Sequence, residues 1–211
     1  MRTDAAQLRL LAWFSPAFPI GAFGWSHGLE TAIRAGWVAS AGTLQAWIEG
    51  LLHHGSGWTD AVLFKLAFET DLADLAELAR ALAPSRERLL ETTQLGAAFA
   101  EAVRPWLAGE PFAGPYPVAA GAACARAGMS PAAAMPAFLQ GFAANLVSVA
   151  VRAMPMGQRE AVGVIARLEP CVLEAARRAA SAGPDDLGAC AFRSDIAAMR
   201  HETLQPRLFL S

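Results

Sequence analysis

The stretch from residue 127 to residue 151 contains no Asp, Glu, Lys or Arg, and it limits the folds that this chain can adopt. The stretch is long enough to cross a bilayer as a helix. However, Pro131 and Pro136 interrupt it, Gln140 and Asn145 add polar groups, and the Leu, Ile and Phe residues that favour membrane insertion are few. We therefore predict a buried central helix and no membrane span.

The rest of the chain repeats a helical pattern. Apolar residues recur at helical spacing in almost every segment, and runs rich in β-branched residues are rare. Proline, glycine and capping residues separate the segments. We predict an all-α fold in which residues 1–211 form a single domain, a bundle of roughly eight to ten helices. The predicted helices cover residues 5–14, 26–35, 43–54, 59–83, 87–103, 159–181 and 185–199, with two more starting near residues 118 and 130.

Composition indicates a surface that other proteins cover. Apolar residues make up 55% of the chain and charged residues only 17%, so we expect a homodimer with further protein partners. The net charge is −2 and Lys65 is the only lysine, which argues against nucleic acid as a partner. Cys124, Cys171 and Cys190 are odd in number and widely spaced. They predict reduced thiols in a cytoplasmic protein.

One short motif is similar to that of a hydrolase. The sequence GWSHG at residues 24–28 matches G-x-S-x-G, which places a catalytic serine only where a strand leads into a helix. No strand is predicted before it, and Ser26 is better explained as a helix N-cap. We expect no catalytic residue here, although a helical serine hydrolase using Ser26 stays an alternative function.

The histidines offer no chelating pair. Neighbouring residues on a helix point about 100° apart, so His53 and His54 cannot hold one ion from one face. No G-K-[ST] sequence follows the glycine-rich loop, so a nucleotide would have to belong to a partner. We predict no metal ligand and no cofactor, and a weak shared metal site at an oligomer axis stays open.

Four residues form a small and polar stripe on the central apolar helix. Gly141, Asn145, Ser148 and Arg152 lie at helical spacing on one face. An unpaired charge on such a helix is costly. Arg152 therefore either pairs internally with a carboxylate such as Glu30 or Glu49, or the stripe faces water or a partner.

Residues 200–211 have no helical period and end in the apolar sequence LFL before Ser211. Chain ends are usually polar and poorly ordered. We predict a flexible, partner-binding tail, while docking onto the body of the same chain stays an alternative.

Three blocks of sequence resemble the UreF family of urease accessory proteins. Residues 15–30, SPAFPIGAFGWSHGLE, resemble the family pattern S-P-x-x-P-x-G-[AS]-[YF]-x-x-S-x-G-L-E, with Phe23 where the family often has tyrosine. Residues 145–158, NLVSVAVRAMPMGQ, resemble N-x-V-x-A-x-[RK]-x-x-P-L-[GS]-Q. The ending, DIAAMRHE at 195–202 and RLFLS at 207–211, resembles D-I-x-x-x-x-H-E followed by R-L-F-x-S.

The resemblance implies an all-α, homodimeric protein without enzymatic activity. It would bind the accessory protein UreD (also called UreH), recruit and modulate the GTPase UreG, and support GTP-dependent nickel insertion into the urease apoprotein. The complex, rather than this chain alone, would handle the nickel. A stand-alone nickel carrier is the main alternative function.

The resemblance also assigns partner-binding residues. Arg152, Met156 and Gln158 would belong to a GTPase-facing or dimer-core surface, and the tail would contact UreD. The complete expected set is Ser26, Glu30, Arg152, Met156, Gln158, Arg200, His201, Glu202, Arg207, Leu208 and Phe209.

Overall fold

A computed structural model describes residues 2–188 and 190–211. Over these residues the chain forms ten α-helices and no β-strand, which confirms the predicted all-α class. The helices are α1 (Arg2–Trp13), α2 (Leu29–Arg34), α3 (Ala41–His54), α4 (Ser56–Leu66), α5 (Leu72–Ala81), α6 (Arg86–Val103), α7 (Tyr116–Arg126), α8 (Pro131–Ala153), α9 (Gln158–Ala179) and α10 (Phe192–His201).

The charge-free stretch forms α8, the central helix. Ser130 caps it by accepting a hydrogen bond from the backbone N–H of Ala133, and Pro131 occupies the first helical position. By length and composition alone α8 could cross a membrane. In the structure it packs against α9, α4 and α2, and it buries side chains such as Met135, Leu139 and Leu146. The prediction of a central helix within a helical bundle is therefore confirmed.

Several helix boundaries differ from the prediction because capping residues were assigned to the wrong position. Ser40, not Thr43, caps α3, and Thr43 completes a capping box from the third position. The predicted helix 59–83 is two helices, because Asp71 accepts hydrogen bonds from the N–H groups of residues 73 and 74 and starts α5. The helix predicted from Ser26 begins only after Gly28, and the one predicted from residue 185 begins at Phe192.

Aromatic side chains fill the centre of the bundle. The ring of Phe64 on α4 stacks on that of Phe138 on α8 with centroids 4.6 Å apart. Phe14, which follows α1, meets Phe138 edge-on at 5.7 Å and Phe99 of α6 at 6.1 Å. These contacts join α4, α6, α8 and the chain after α1 in one apolar core.

The C-terminal segment, residues 202–211, packs against the body of the protein. The side chain of Phe209 is 4% exposed and Ser211 is fully buried. The N–H of Leu210 donates to the carbonyl of Gly24 at 2.8 Å, so the segment runs beside the N-terminal loop. This arrangement differs from the flexible tail that the sequence predicted, because carboxylates on α2 and α6 satisfy the polar groups of the segment.

Candidate partner-binding site

Glu30 on α2 is the main anchor of the C-terminal segment. Its carboxylate is buried and accepts hydrogen bonds from the backbone N–H of Leu208 at 2.9 Å and of Phe209 at 3.1 Å. Arg34, one turn later, lies 3.3 Å from the same carboxylate. A buried carboxylate needs such donors, and here residues from the opposite end of the sequence provide most of them.

His201 connects α10 to two glutamates. Its ring is fully buried, with Nε2 3.1 Å from Glu30 and Nδ1 2.7 Å from Glu87. Both ring nitrogens lie within hydrogen-bond distance of carboxylate oxygens, so the ring bridges the two acids. Glu87 also accepts a hydrogen bond from Arg207 at 2.6 Å. The two glutamates, from α2 and α6, therefore hold both ends of the C-terminal segment.

Ser26 binds the backbone of the last residue. Its N–H donates to the carbonyl of Ser211 at 2.8 Å, and its hydroxyl donates to the same oxygen. The Ser211 hydroxyl in turn donates to Glu91 at 3.1 Å. Ser26 is fully buried and, within the described part of the chain, forms no hydrogen bond with a histidine. The hydrolase alternative that used Ser26 therefore lacks its required geometry.

A second charged cluster also uses residues of α6. Arg88 and Glu91 on α6 pair at 2.8 Å, Asp60 of α4 lies 3.4 Å from Arg88, and His27 lies 3.1 Å from Glu91. Burial tends to raise the pKa of Glu91, but the charges of Arg88 and His27 outweigh it and lower that pKa to about 2. For Asp60 burial dominates, and its pKa is raised above the ordinary range. Sequence reasoning missed this cluster, for which the three-residue spacing of Arg88 and Glu91 was the only local signal.

The polar stripe on α8 divides into a packed part and an exposed part. A Cβ at Gly141 would lie 2.9 Å from the carbonyl oxygen of Phe14, so the glycine permits close contact with the chain after α1. The Asn145 amide donates to the carbonyl of Trp25 at 3.3 Å. Ser148, one turn further along, is exposed.

Arg152 is exposed and lies over the C-terminal segment. Its Nε donates to the carbonyl of Ser148 at 3.2 Å, and its guanidinium carbon is 4.6 Å from the centre of the Phe209 ring. Among the residues that the structure describes, no carboxylate lies within ion-pair distance of Arg152. The internal pairing with Glu30 or Glu49 is therefore not observed.

The remaining predicted site residues are scattered. Met156 is buried in the core, so its side chain is not on the surface that the resemblance implied. Gln158 is exposed at the start of α9. Glu202 accepts a hydrogen bond from the backbone N–H of Arg86 at 3.0 Å, and the Arg200 guanidinium is 5.9 Å from the ring centre of Trp37.

Beside the docked segment, large apolar side chains are exposed to solvent. Phe23 and Leu208 are each 68% exposed, and Leu210 is 51% exposed. Leu208 and Leu210 flank the buried Phe209, and the backbone pairing of Leu210 with Gly24 brings the segment next to Phe23. We call Phe23, Leu208, Leu210 and Arg152 the composite patch, because the N-terminal loop, the C-terminal segment and α8 all contribute to it.

The structure brings Cys171 and His53, two potential metal ligands, together. Cys171 Sγ lies 3.2 Å from His53 Nε2, and Arg178 donates to the other nitrogen of that ring at 3.0 Å. Burial raises the pKa of the Cys171 thiol to about 11. Over residues 2–188 and 190–211, no group of three or more His, Cys, Asp or Glu side chains is arranged to hold a metal ion.

Comparison with known proteins identifies the family. The UreF family model matches residues 38–169. The urease accessory protein UreF of Mesorhizobium japonicum is 48% identical over 218 residues, covering 99% of this chain and 98% of the relative. That of Cereibacter sphaeroides is 48% identical over 207 residues, covering 98% and 99%, and UreF 1 of Brucella canis is 46% identical over 215 residues, covering 98% and 94%. The chain belongs to the UreF family.

The two terminal UreF motifs meet in this fold. The N-terminal motif supplies Ser26 and Glu30, and the C-terminal motif supplies His201, Arg207 and Ser211, which the structure joins in one hydrogen-bond network. The residues that the UreF resemblance singled out are thus largely contact partners of one another. Together these contacts hold the C-terminal segment against the body of the protein, with the composite patch beside it.

Proposed function

We propose that this chain supports urease maturation as a non-enzymatic scaffold. In this proposal it binds UreD (UreH), recruits and modulates the GTPase UreG, and supports GTP-dependent assembly of the nickel centre on the urease apoprotein. Membership of a family whose relatives are named urease accessory proteins supports a role in urease maturation. The observation that carries the scaffold role is the composite patch, which combines three large exposed apolar side chains with an exposed arginine that lies over Phe209.

The composition of the exposed surface supports separate contacts for separate partners. We assign UreD to the composite patch, because exposed apolar side chains with an arginine are typical of the centre of a protein interface. We assign UreG to the adjoining edge that runs from Arg152 to Gln158 at the start of α9. Leu8 and Leu11 on α1 are 67% and 66% exposed, and they are the candidate contacts of a homodimer.

In the same proposal this chain has no cofactor of its own and acts in the cytoplasm. Nickel belongs to the assembled complex, which binds it as cargo. A stand-alone nickel carrier is the competing function, and calorimetric titration of the isolated chain with Ni²⁺ separates the two. Tight binding of nickel by the isolated chain would favour the carrier.

Co-purification from cells that also express UreD, UreG and the urease subunits tests the scaffold. The native chain is expected to retain all of them and to activate urease. Leu208→Asp should remove UreD and activation together, because it places a charge in the composite patch. Leu173→Asp is the matched control, since Leu173 is 52% exposed on α9 outside the patch, and it should retain the partners. Equal retention by both variants would contradict the assignment of the patch.

A further inference from the structure

The outer face of α10 carries an apolar stripe to which the proposed function assigns no partner. Phe192, Ile196 and Met199 are 71%, 42% and 51% exposed, and they lie at positions i, i+4 and i+7 of the helix. At this spacing the three side chains form one line along the helix. The line extends over about 10 Å, or roughly two helical turns. It is separate from the composite patch, which contains no residue of α10.

The body of the protein holds α10 in one orientation, in which it packs against α2 and α6. Its opposite face is buried and consists of Ser194, Ala197, Ala198 and His201. The ring of His201 contacts Glu30 of α2 and Glu87 of α6. Burying the stripe within the same chain would require α10 to turn and expose this face together with its polar contacts, which is costly. The stripe is therefore available to another molecule.

A groove continues the stripe toward α3. It has a volume of about 370 Å³ and is lined on the α3 side by Trp47, Gly50 and His54. Phe192 and Arg193 line it from the start of α10, so the groove and the stripe share Phe192 and form one surface. We call the stripe together with this groove the α10 face.

Two arginines lie along one edge of the stripe. Arg193 and Arg200 are exposed, and both guanidinium carbons are 5.9 Å from the centre of the Trp37 ring. Among the residues that the structure describes, no carboxylate lies within ion-pair distance of either guanidinium. The Trp37 ring thus supports two exposed positive charges that a partner can neutralise.

The acidic side chains of the same helix have other contacts. Asp195 is partly buried and lines a cavity together with Arg88. Glu202, which follows α10, accepts the hydrogen bond from the backbone N–H of Arg86 at 3.0 Å. The exposed charge that borders the stripe on the Trp37 side is therefore positive, and it is complementary to a partner surface that combines apolar side chains with carboxylates.

We propose that the α10 face binds an acidic amphipathic helix of a partner protein. Apolar residues of that helix recur at i, i+4 and i+7 and pack against the stripe, with one side chain in the groove. Carboxylates along one flank of the helix pair with Arg193 and Arg200. Apolar burial provides most of the affinity, and the charges select the partner. The inference rests on the proposed function in one respect, since it takes this partner from the urease maturation proteins.

Photo-crosslinking of the full-length chain tests the proposal. The photoreactive residue p-benzoylphenylalanine replaces Met199 in one variant and Leu173 on α9 in the control, because these side chains are 51% and 52% exposed. Each variant is expressed with UreD, UreG and the urease subunits, and mass spectrometry identifies the crosslinked peptides. We expect a crosslink from position 199, absent from position 173, to a segment of one of these proteins that has apolar residues at helical spacing and a net negative charge.

Charge exchange provides a second readout. Arg193→Glu combined with Arg200→Glu should abolish the crosslink from position 199, and arginine in place of the acids of the crosslinked segment should restore it. Circular dichroism establishes that the double variant is folded, as expected for two exposed side chains. A crosslink that survives the charge reversal would overturn the proposal, as would a crosslink to this chain alone, to a segment without acids, or none beyond that of position 173. Capture of UreD by the native chain and its loss in Leu208→Asp are measured separately, so failure here is distinguishable from failure of the scaffold role.

Discussion

The carboxylate of Glu30 accepts a hydrogen bond from the backbone N–H of Phe209 at 3.1 Å, across 179 positions of sequence. The same carboxylate binds His201 and the N–H of Leu208. A single buried acid on α2 therefore positions the C-terminal segment, and with it the exposed leucines of the composite patch. Under the proposed function, stability and partner binding both depend on this residue, and the following variants separate them.

Glu30→Ala should strongly destabilise the fold. The substitution leaves Nε2 of the buried His201 and two backbone N–H groups without this acceptor, and each buried group left unsatisfied costs about 1–3 kcal/mol. Urea unfolding followed by circular dichroism measures the change. Glu69→Ala is the control, because Glu69 is 56% exposed and pairs with Lys65, and its loss should cost about 0.3–0.5 kcal/mol. Similar costs for both would show that the Glu30 network is not a source of stability.

Two adjacent residues in the C-terminal segment separate stability from recognition. Phe209 is 4% exposed and Leu208 is 68% exposed. Phe209→Ala should reduce the free energy of unfolding by about 3–5 kcal/mol, as expected for a buried aromatic. Leu208→Ala should change it by no more than about 0.5 kcal/mol but weaken UreD capture. Thermal melts and co-purification of both variants provide the test, and an unchanged melt for Phe209→Ala would indicate a segment that is mobile in solution.

The helices were predictable because their signals are local. Apolar periodicity and the Ser130–Pro131 start gave α8 correctly, whereas the overlooked cap at Asp71 joined α4 and α5 into one predicted helix. The C-terminal segment was different. Its apolar tip indicated a contact, but nothing local to the sequence shows that the acceptor for its N–H groups is Glu30. Non-local pairing of this kind depends on how the helices pack, which periodicity does not specify.

Acid should remove the stabilisation that Glu91 provides. Burial opposes ionisation of Glu91, but Arg88 and His27 lower its pKa from about 4.5 to about 2. Because the folded-state pKa is the lower one, the stabilisation is complete above about pH 4.5 and is lost as the pH falls toward about 2. Its size is on the order of 3 kcal/mol. Urea unfolding of Glu91→Gln and the native chain should therefore differ more at pH 7 than at pH 3, and a pH-independent difference would contradict the assignment.

Gly28 permits the close approach of α2 to α10. Its φ is 77°, and a Cβ at this position would lie 2.7 Å from the backbone nitrogen of Ala198. Gly28→Ala should destabilise the protein by more than about 1 kcal/mol, because the backbone conformation and the space both exclude a side chain. A Cβ at Gly50, within α3, would have open space within 4 Å around it, so Gly50→Ala should stabilise by about 0.5–1 kcal/mol. Opposite shifts in the melting temperature are the expected result.

Arg152 separates recognition from stability most directly, because it is exposed, lies over the Phe209 ring and donates to the Ser148 carbonyl. Loss of an exposed cation–π contact should cost about 0.5–1 kcal/mol, so Arg152→Ala should remain folded. Capture of UreD and UreG should nevertheless fall sharply, because arginine is a common interface anchor. Arg152→Lys retains the charge but not the planar group, so an intermediate loss of capture would indicate that the planar guanidinium itself is recognised. A folded Arg152→Ala variant that still recruits both partners and activates urease would exclude Arg152 from the interface.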